Sequence, residues 1–221
     1  FFFFLCVIVF FFFFFDMSSS NLIFAFICFF MVSAFVVLLP GLGFNLTTAQ
    51  LFWLAALPGL AGGSLRIIHT FLIPLYGTRH VVSISTLSLL IPAVGWFVAV
   101  QDPQTPYWML LTLAFLAGLG GGNFSSFMPS TSLFFPKRLQ GTALAIQAGI
   151  GNFGVSVVQF VTPWIIGMAL FGSLAGEPLT FTKGGSQSPL WLQNAALVYV
   201  PFIAVFGVAV PTECPGVPTE V

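Results

Sequence analysis

The sequence predicts an all-α integral membrane protein, and three observations support this fold class. Of the 221 residues, 58% are hydrophobic and only 5% are charged, whereas a soluble domain carries about 25% charged residues. The apolar residues gather in six long runs, not in short alternating segments. Each run approaches or exceeds the ~20 residues with which a helix crosses a ~30 Å hydrocarbon core, and a helix satisfies its own backbone hydrogen bonds in lipid. Most of the surface should therefore face a lipid bilayer.

The chain divides into three parts. Residues 1–20 are a phenylalanine-rich, low-complexity start without the basic region or cleavage site of a signal peptide, and we assign it no function. Residues 21–210 should form six transmembrane helices, at about 21–39, 51–76, 81–100, 107–135, 140–170 and 189–210. Residues 211–221 are rich in proline and polar side chains, and we expect an irregular tail at the point where a longer protein is truncated.

The short connections hold most of the charges and predict the orientation. Arg79 lies between the second and third runs, and Lys137 and Arg138 lie between the fourth and fifth. Lys183, between the fifth and sixth runs, falls on the opposite side. Because an excess of Lys and Arg marks the cytoplasmic side, both ends of the six-helix unit are predicted to be cytoplasmic. The expected location is a bacterial cytoplasmic (inner) membrane.

Composition also argues against several functions. The formal net charge is zero, so nucleic acid is not an expected partner. Cys6, Cys28 and Cys214 are far apart and have no CxxC or His-rich context, which predicts neither a metal site nor a disulfide framework. The apolar runs contain no nucleophile–base pair, so no enzyme and no cofactor is expected.

Arg66 is the one charged residue well inside an apolar run. It lies ten residues from the cytoplasmic end of the second run, about 15 Å deep at the helical rise, where a charge costs ~2.5–3.5 kcal/mol. No Asp or Glu lies inside the six runs. An anion from solution is therefore the expected partner, because guanidinium offers a planar fork of donors to planar oxyanions. The alternative is a structural arginine that donates to backbone carbonyls of kinked helices.

His69 lies three residues after Arg66, on the same helical face. Two roles are open for it. It could titrate and couple protons to transport, or it could be a hydrogen-bonding residue in the wall of a cavity.

The fourth and fifth runs are dense in glycine. The residues concerned are Gly118, Gly120 and Gly122 in the fourth run, and Gly149, Gly151 and Gly154 in the fifth, where Gly141, Ala145 and Gly149 also repeat every four residues. Small residues at such spacing let helix backbones approach closely in lipid, which predicts helix packing. The last three glycines of the fifth run also match GxGxxG, but the strand that a dinucleotide site requires is missing, so nucleotide binding is not predicted.

Two polar stripes accompany the glycines. Their members are Asn123, Ser126 and Ser130 in the fourth run, and Asn152, Ser156 and Gln159 in the fifth. One interpretation is interhelical hydrogen bonding. The other is a wet path in which Asn152 donates to a ligand and the ring of Phe124 lies beside it.

Four strings now indicate a family. GGGNFSSFMPSTSLFFPK in the fourth run and QAGIGNFGVSVVQ in the fifth resemble the signature segments of the NarK-type nitrate/nitrite porters of the major facilitator superfamily. ALPGLAGGSLRI around Arg66 and WLQNAALVYVPF in the sixth run are also similar to that family. The resemblance covers about residues 22–208. Two departures are the loop YGTRH, which matches only part of the superfamily's basic loop motif, and His69, where an aromatic residue is expected.

The resemblance implies a function and a site. It implies alternating-access transport of nitrate or nitrite through a site between two six-helix halves, of which this chain would be the amino-terminal one. Arg66 would bind the anion, Phe124 would pack on it, and Asn152 would contact it. The expected partners are the anion, the bilayer and a carboxy-terminal half that this chain lacks. Without that half, the isolated monomer is not expected to transport.

Coupling and substrate leave alternatives open. Because no carboxylate lies in the runs, nitrate/nitrite exchange is favoured over proton symport, although His69 keeps symport open. A facilitator for another small anion or a neutral solute is one rival. A membrane scaffold subunit that does not transport is the other.

Overall fold

The protein is described by a computed structural model. It describes the backbone of residues 2–172, 175–183 and 186–213, and the side chains of 18–133, 135–172, 175–182 and 187–209. The predicted irregular tail therefore lies outside the described residues beyond 213. At the other end, the phenylalanine-rich start from Phe2 onward is part of the first helix.

The described chain contains eight α-helices, a 3₁₀ turn and two strands. In order they are α1 (Phe2–Leu38), the 3₁₀ turn (Leu39–Leu42), α2 (Thr48–Ser88), α3 (Leu90–Ala99), α4 (Tyr107–Ala117), α5 (Leu119–Phe134), α6 (Lys137–Ile165), β1 (Leu179–Lys183), β2 (Ser186–Leu190), α7 (Asn194–Leu197) and α8 (Val200–Glu213). Four described segments are long and apolar enough to cross a membrane, namely Ser18–Leu42, Thr48–Ala99, Tyr107–Leu133 and Lys137–Ile165. The chain is an integral membrane protein.

The segment Thr48–Ala99 doubles back at Gly77. Arg66 and Ser85 are nineteen residues apart, which is about 28 Å along a straight helix. Both nevertheless bond to the same short stretch of α5, because Arg66 Nε donates to the Gly121 carbonyl and Asn123 Nδ2 donates to the Ser85 carbonyl. Gly77 has φ 75° and ψ 156° inside otherwise helical backbone, a conformation that glycine adopts without steric cost. The predicted connection at 77–80 is thus reduced to one non-helical residue.

The loop between the fifth and sixth predicted runs is a β-hairpin, so the all-α prediction is wrong there. Strands β1 and β2 pair antiparallel from Leu179 opposite Leu190 to Lys183 opposite Ser186. Threonine and phenylalanine in LTFTK favour extended backbone, and two glycines separate the strands in sequence, a common hairpin signal. The ring of Phe181 covers Gly41, where a Cβ would collide with it. The hairpin is therefore fixed on the end of the first helix.

The helix predicted for residues 189–210 begins later than expected and ends later than expected. Its first residues belong to β2, a short α7 follows, and α8 reaches Glu213, past the predicted end at 210. Two buried side-chain amides fix the start of α7: Gln193 donates to the Ala175 carbonyl at 2.9 Å, and Asn194 donates to the Met168 carbonyl at 2.8 Å. Pro189 lies in β2, and a proline is tolerated in such a two-stranded edge.

Helix α5 packs between α1 and α2, and α6 packs against α1. On one side of α5, a Cβ added at Gly120 would collide with the Ala25 carbonyl. On the other side, a Cβ at Gly121 would lie 3.1 Å from the Gly62 Cα. Close backbone packing of this kind is what small residues permit in lipid. These contacts place the fourth predicted run between the first and the second.

Candidate functional site

Arg66 is oriented by a backbone carbonyl on α5. Its Nε donates to the Gly121 carbonyl over 3.1 Å. The bond is possible because α2 and α5 approach closely one turn earlier, where Gly62 meets Gly118 and Gly121 without an intervening side chain. The small residues at this crossing therefore set the distance from which the guanidinium reaches α5.

The ring of Phe124 fixes the guanidinium from a second direction. The Arg66 Cζ lies 5.1 Å from the ring centroid, within the range of a cation–π interaction. Phe124 is half-buried, and Phe26 meets it edge-on with ring centroids 6.2 Å apart. The structure thus brings Arg66 and Phe124 into direct contact.

Arg66 is exposed on the surface of this chain, although its Nε is bonded to α5 and its Cζ lies over the Phe124 ring. The described residues occupy this one of its five N–H donors. Asp102 and Glu177, the acidic residues whose side chains the structure describes, lie in loops. The structural-arginine alternative is realised in one hydrogen bond, from Nε.

His69 is a buried hydrogen-bonding residue between α2 and α5. Its side chain is 5% exposed, and its Nδ1 lies 2.6 Å from Ser126 Oγ. Gly122 makes room for the imidazole, because a Cβ there would lie 3.2 Å from the His69 Cδ2. This geometry matches the wall-residue alternative for His69, one helical turn below Arg66.

Asn152 lies on an exposed face of α6, apart from the arginine. Its Nδ2 donates to the Ala148 carbonyl of the same helix at 2.9 Å, and no hydrogen bond joins it to Arg66 or Phe124 within the described residues. Val155, three residues on, packs against the buried cluster of Leu22, Phe26, Val82 and Phe127, against which Phe124 also packs. Ser156 and Gln159 are exposed on α6 as well. The structure therefore places the predicted α6 stripe on a surface next to the buried cluster against which Phe124 packs.

The polar stripe of α5 has the opposite environment. Asn123, Ser126 and Ser130 are fully buried. Asn123 donates to the Ser85 carbonyl at 3.3 Å, and Ser130 Oγ donates to the Ser126 carbonyl at 2.6 Å. Asn123 and Ser126 join α5 to α2, and Ser130 bonds within α5, whereas the α6 stripe faces outward.

The glycines separate into packed and open positions. A Cβ at Gly118 or Gly122 would press on α2, and one at Gly120, Gly151 or Gly154 would press on α1. At Gly149 and Gly141 nothing lies within 4 Å of an added Cβ. The packing expected of Gly149 is therefore absent among the described residues, because the Gly141, Ala145 and Gly149 stripe lies on the exposed side of α6.

Sequence reasoning missed two parts of this region. Gly62 and Gly121 form the crossing that positions Arg66, and the available signal was a small residue one turn before the arginine. The other part is a buried cluster of Ser18, Thr131 and Gln147. Its members are far apart in sequence and belong to no shared motif, so only the packing of α1, α5 and α6 brings them together.

Curated carriers match most of this chain. A probable nitrate/nitrite antiporter, NarK2 of Thermus thermophilus, is 68% identical over 188 residues, which are 85% of this chain and 42% of the relative. The nitrate/nitrite transporter NarU of Escherichia coli (strain K12) is 42% identical over 193 residues, 87% of this chain and 41% of the relative. A probable nitrate transporter, NarT of Staphylococcus aureus, is 34% identical over 124 residues, 56% of this chain and 30% of the relative. No protein-family model matches the chain.

The comparisons confirm the resemblance inferred from the fourth and fifth runs. The chain spans less than half the length of the first two relatives, and the names of all three are those of transporters, in agreement with the prediction of a non-enzymatic class. An identity of 68% over 85% of the chain establishes homology with the Thermus thermophilus relative. Over most of its length this chain is therefore related to the NarK-type nitrate/nitrite porters, of which it matches about two fifths.

Proposed function

We propose that this chain forms the amino-terminal six-helix half of a major facilitator carrier that moves nitrate and nitrite by alternating access. The observation that carries the proposal is the state of Arg66. The Arg66 guanidinium is held by the Gly121 carbonyl and the Phe124 ring, and the side chain is exposed, with no salt bridge to an acidic side chain among the described residues. A guanidinium held in this way suits a mobile anion.

The described segments support the proposal of six helices. The fold-back at Gly77 would divide Thr48–Ala99 into two spans. Ser18–Leu42, Tyr107–Leu133 and Lys137–Ile165 contribute one span each, and Asn194–Ala209 is a shorter apolar helix that would supply the sixth. In this arrangement Arg79, Lys137 and Arg138 share the cytoplasmic side, which supports an inner-membrane carrier with cytoplasmic ends.

The three proposed anion contacts have different duties. Arg66 supplies the charge and a two-nitrogen edge for two oxygens of a planar anion. Phe124 keeps the guanidinium plane fixed and excludes water from one of its faces. Asn152 supplies a directed hydrogen bond from α6. Since Arg66 and Asn152 are both exposed here, the proposal needs the rest of the carrier to close the site, as in transporters whose substrate lies between two repeats.

The experiments below use one defined protein. It is a fusion of this chain to the part of the Thermus thermophilus relative that the chain does not match, purified and reconstituted in liposomes, and it is called the complete carrier. Saturable uptake of nitrate into nitrite-loaded vesicles would support the proposed function. Absence of nitrate uptake by a folded, correctly inserted complete carrier would contradict it.

We expect exchange rather than proton symport, and His69 provides the test. In the complete carrier, His69→Gln should keep nitrate uptake within about twofold and leave its pH dependence unchanged, because glutamine replaces the hydrogen bond to Ser126 without titrating. The measurement is initial uptake across a range of external pH, into vesicles with and without internal nitrite. Uptake that is driven by an inward proton gradient without nitrite, and that loses this response in His69→Gln, would establish symport.

A further inference from the structure

Three helices meet through side-chain hydrogen bonds at Gln147. Gln147 of α6 is fully buried, and its Nε2 donates to Ser18 Oγ of α1 at 2.8 Å and lies 3.5 Å from the Phe127 carbonyl of α5. Ser18 Oγ in turn lies 3.3 Å from Thr131 Oγ1 of α5. Ser18 is 2% exposed and Thr131 is fully buried. One glutamine thus connects α6 to both neighbours within the bundle.

The oxygen of this amide makes no hydrogen bond, as is also true of the buried amide oxygens of Asn123, Gln193 and Asn194. The Gln147 Oε1 is buried and has no hydrogen-bond partner within the described residues. A buried acceptor left without a partner costs stability, and an apolar side chain of the same length would avoid that cost. Packing alone therefore gives no reason for glutamine here, and its remaining effect is the directional bond from α6 to Ser18.

That bond fixes the rotation of α6. Gln147, Gly151 and Gly154 face inward, whereas Asn152 and Ser156 face outward. Asn152 is five residues after Gln147, which is about 140° further round the helix. A Cβ at Gly151 would lie 2.5 Å from the Leu22 Cδ2, so the next turn is also in tight contact with α1. A helix held at Gln147 against α1 cannot turn without moving Asn152.

We propose that Gln147 is a positioning residue that orients Asn152 toward the substrate surface by fixing the rotation of α6 against α1 and α5. The inference rests on the proposed function, because it assigns Asn152 a contact with the anion. Gln147 itself does not touch the substrate: it is fully buried between helices. Its effect on the anion passes through Asn152 alone.

The test is a double-mutant cycle in the complete carrier. Gln147→Met keeps the length of the side chain and removes both the bond to Ser18 and the unpaired oxygen. Nitrate KM should rise about three- to tenfold, the range expected for loss of one buried hydrogen bond, with kcat changed less than about twofold. Combined with Asn152→Ala, the substitution should raise KM little beyond Asn152→Ala alone, since both act through one contact.

The matched control is Gln101→Met, which removes a glutamine just after α3 that donates to the Phe97 carbonyl of that helix at 3.1 Å, far from the site in sequence. The KM of Gln101→Met for nitrate should stay unchanged. Ser18→Ala, which removes the acceptor and leaves Gln147 in place, should reproduce part of the KM effect. The inference is overturned if Gln147→Met and Ser18→Ala lower the yield of folded carrier without changing its KM for nitrate. It is also overturned if the fold increases in KM caused by Gln147→Met and by Asn152→Ala multiply in the double variant. Absence of saturable nitrate uptake in the unmodified carrier would overturn the proposed function as well.

Discussion

Replacing Arg66 by alanine in the complete carrier is expected to lower kcat/KM for nitrate by at least about 100-fold. Two hydrogen bonds from a charged group contribute roughly 1.5–3 kcal/mol each, and about 1.4 kcal/mol corresponds to a factor of ten. Arg66→Lys should also lose more than about tenfold, because an ammonium is a point charge without the planar fork and cannot both bond the Gly121 carbonyl and present a two-nitrogen edge. Initial nitrate uptake into nitrite-loaded liposomes measures both effects.

Arg138→Lys is the matched control for this experiment. Arg138 is exposed at the start of α6, outside the cluster around Phe124, and its conservative replacement should change uptake less than about twofold. The two rival functions predict different results at Arg66. A carrier for another small anion or a neutral solute would keep most transport in Arg66→Lys, because bidentate geometry would not matter. A scaffold that does not transport would show the same phenotype with Arg66→Ala as with arginine.

Much of the bilayer-spanning structure could be predicted because lipid imposes strong rules. Runs of about 20 apolar residues must be helical, and an arginine without an acidic neighbour stands out against them. The pairing of Arg66 with Phe124 followed from the family resemblance, and the structure brings the two side chains within 5.1 Å. Their contact with an anion stays a prediction until transport is measured.

The features that the sequence analysis did not predict depend on contacts between distant parts of the chain. The sequence pattern does not say which side of α6 faces α1, so Gly149 and Gly151 looked alike, although only Gly151 meets another helix. The exposure of Arg66 could not be read from its depth in a run, because depth along a helix and direction around it are independent. The hairpin was missed because LTFTK is short and follows a glycine-rich loop, where local signals are weak.

The glycine pair on α6 offers a direct test of this packing, with large and opposite expected effects. Gly154→Ala in the complete carrier would place a Cβ 2.5 Å from the Ile23 carbonyl of α1. Because that neighbour is backbone, the helices must separate, and overpacking of this kind costs about 1–3 kcal/mol. The apparent Tm in detergent should fall by several degrees.

Gly149→Ala is the matched control, since it makes the same change five residues earlier on the same helix. Nothing lies within 4 Å of the added Cβ, and alanine in a helix interior is favoured over glycine by about 0.5–1 kcal/mol. The apparent Tm should therefore stay level or rise. If both variants lose stability equally, the open face at Gly149 is covered by another part of the complete carrier, and the exposed α6 stripe is a packing surface between its halves. If Gly154→Ala is as stable as the parent, the close contact of α6 with α1 is refuted, and with it the rotation of α6 on which the role of Gln147 depends.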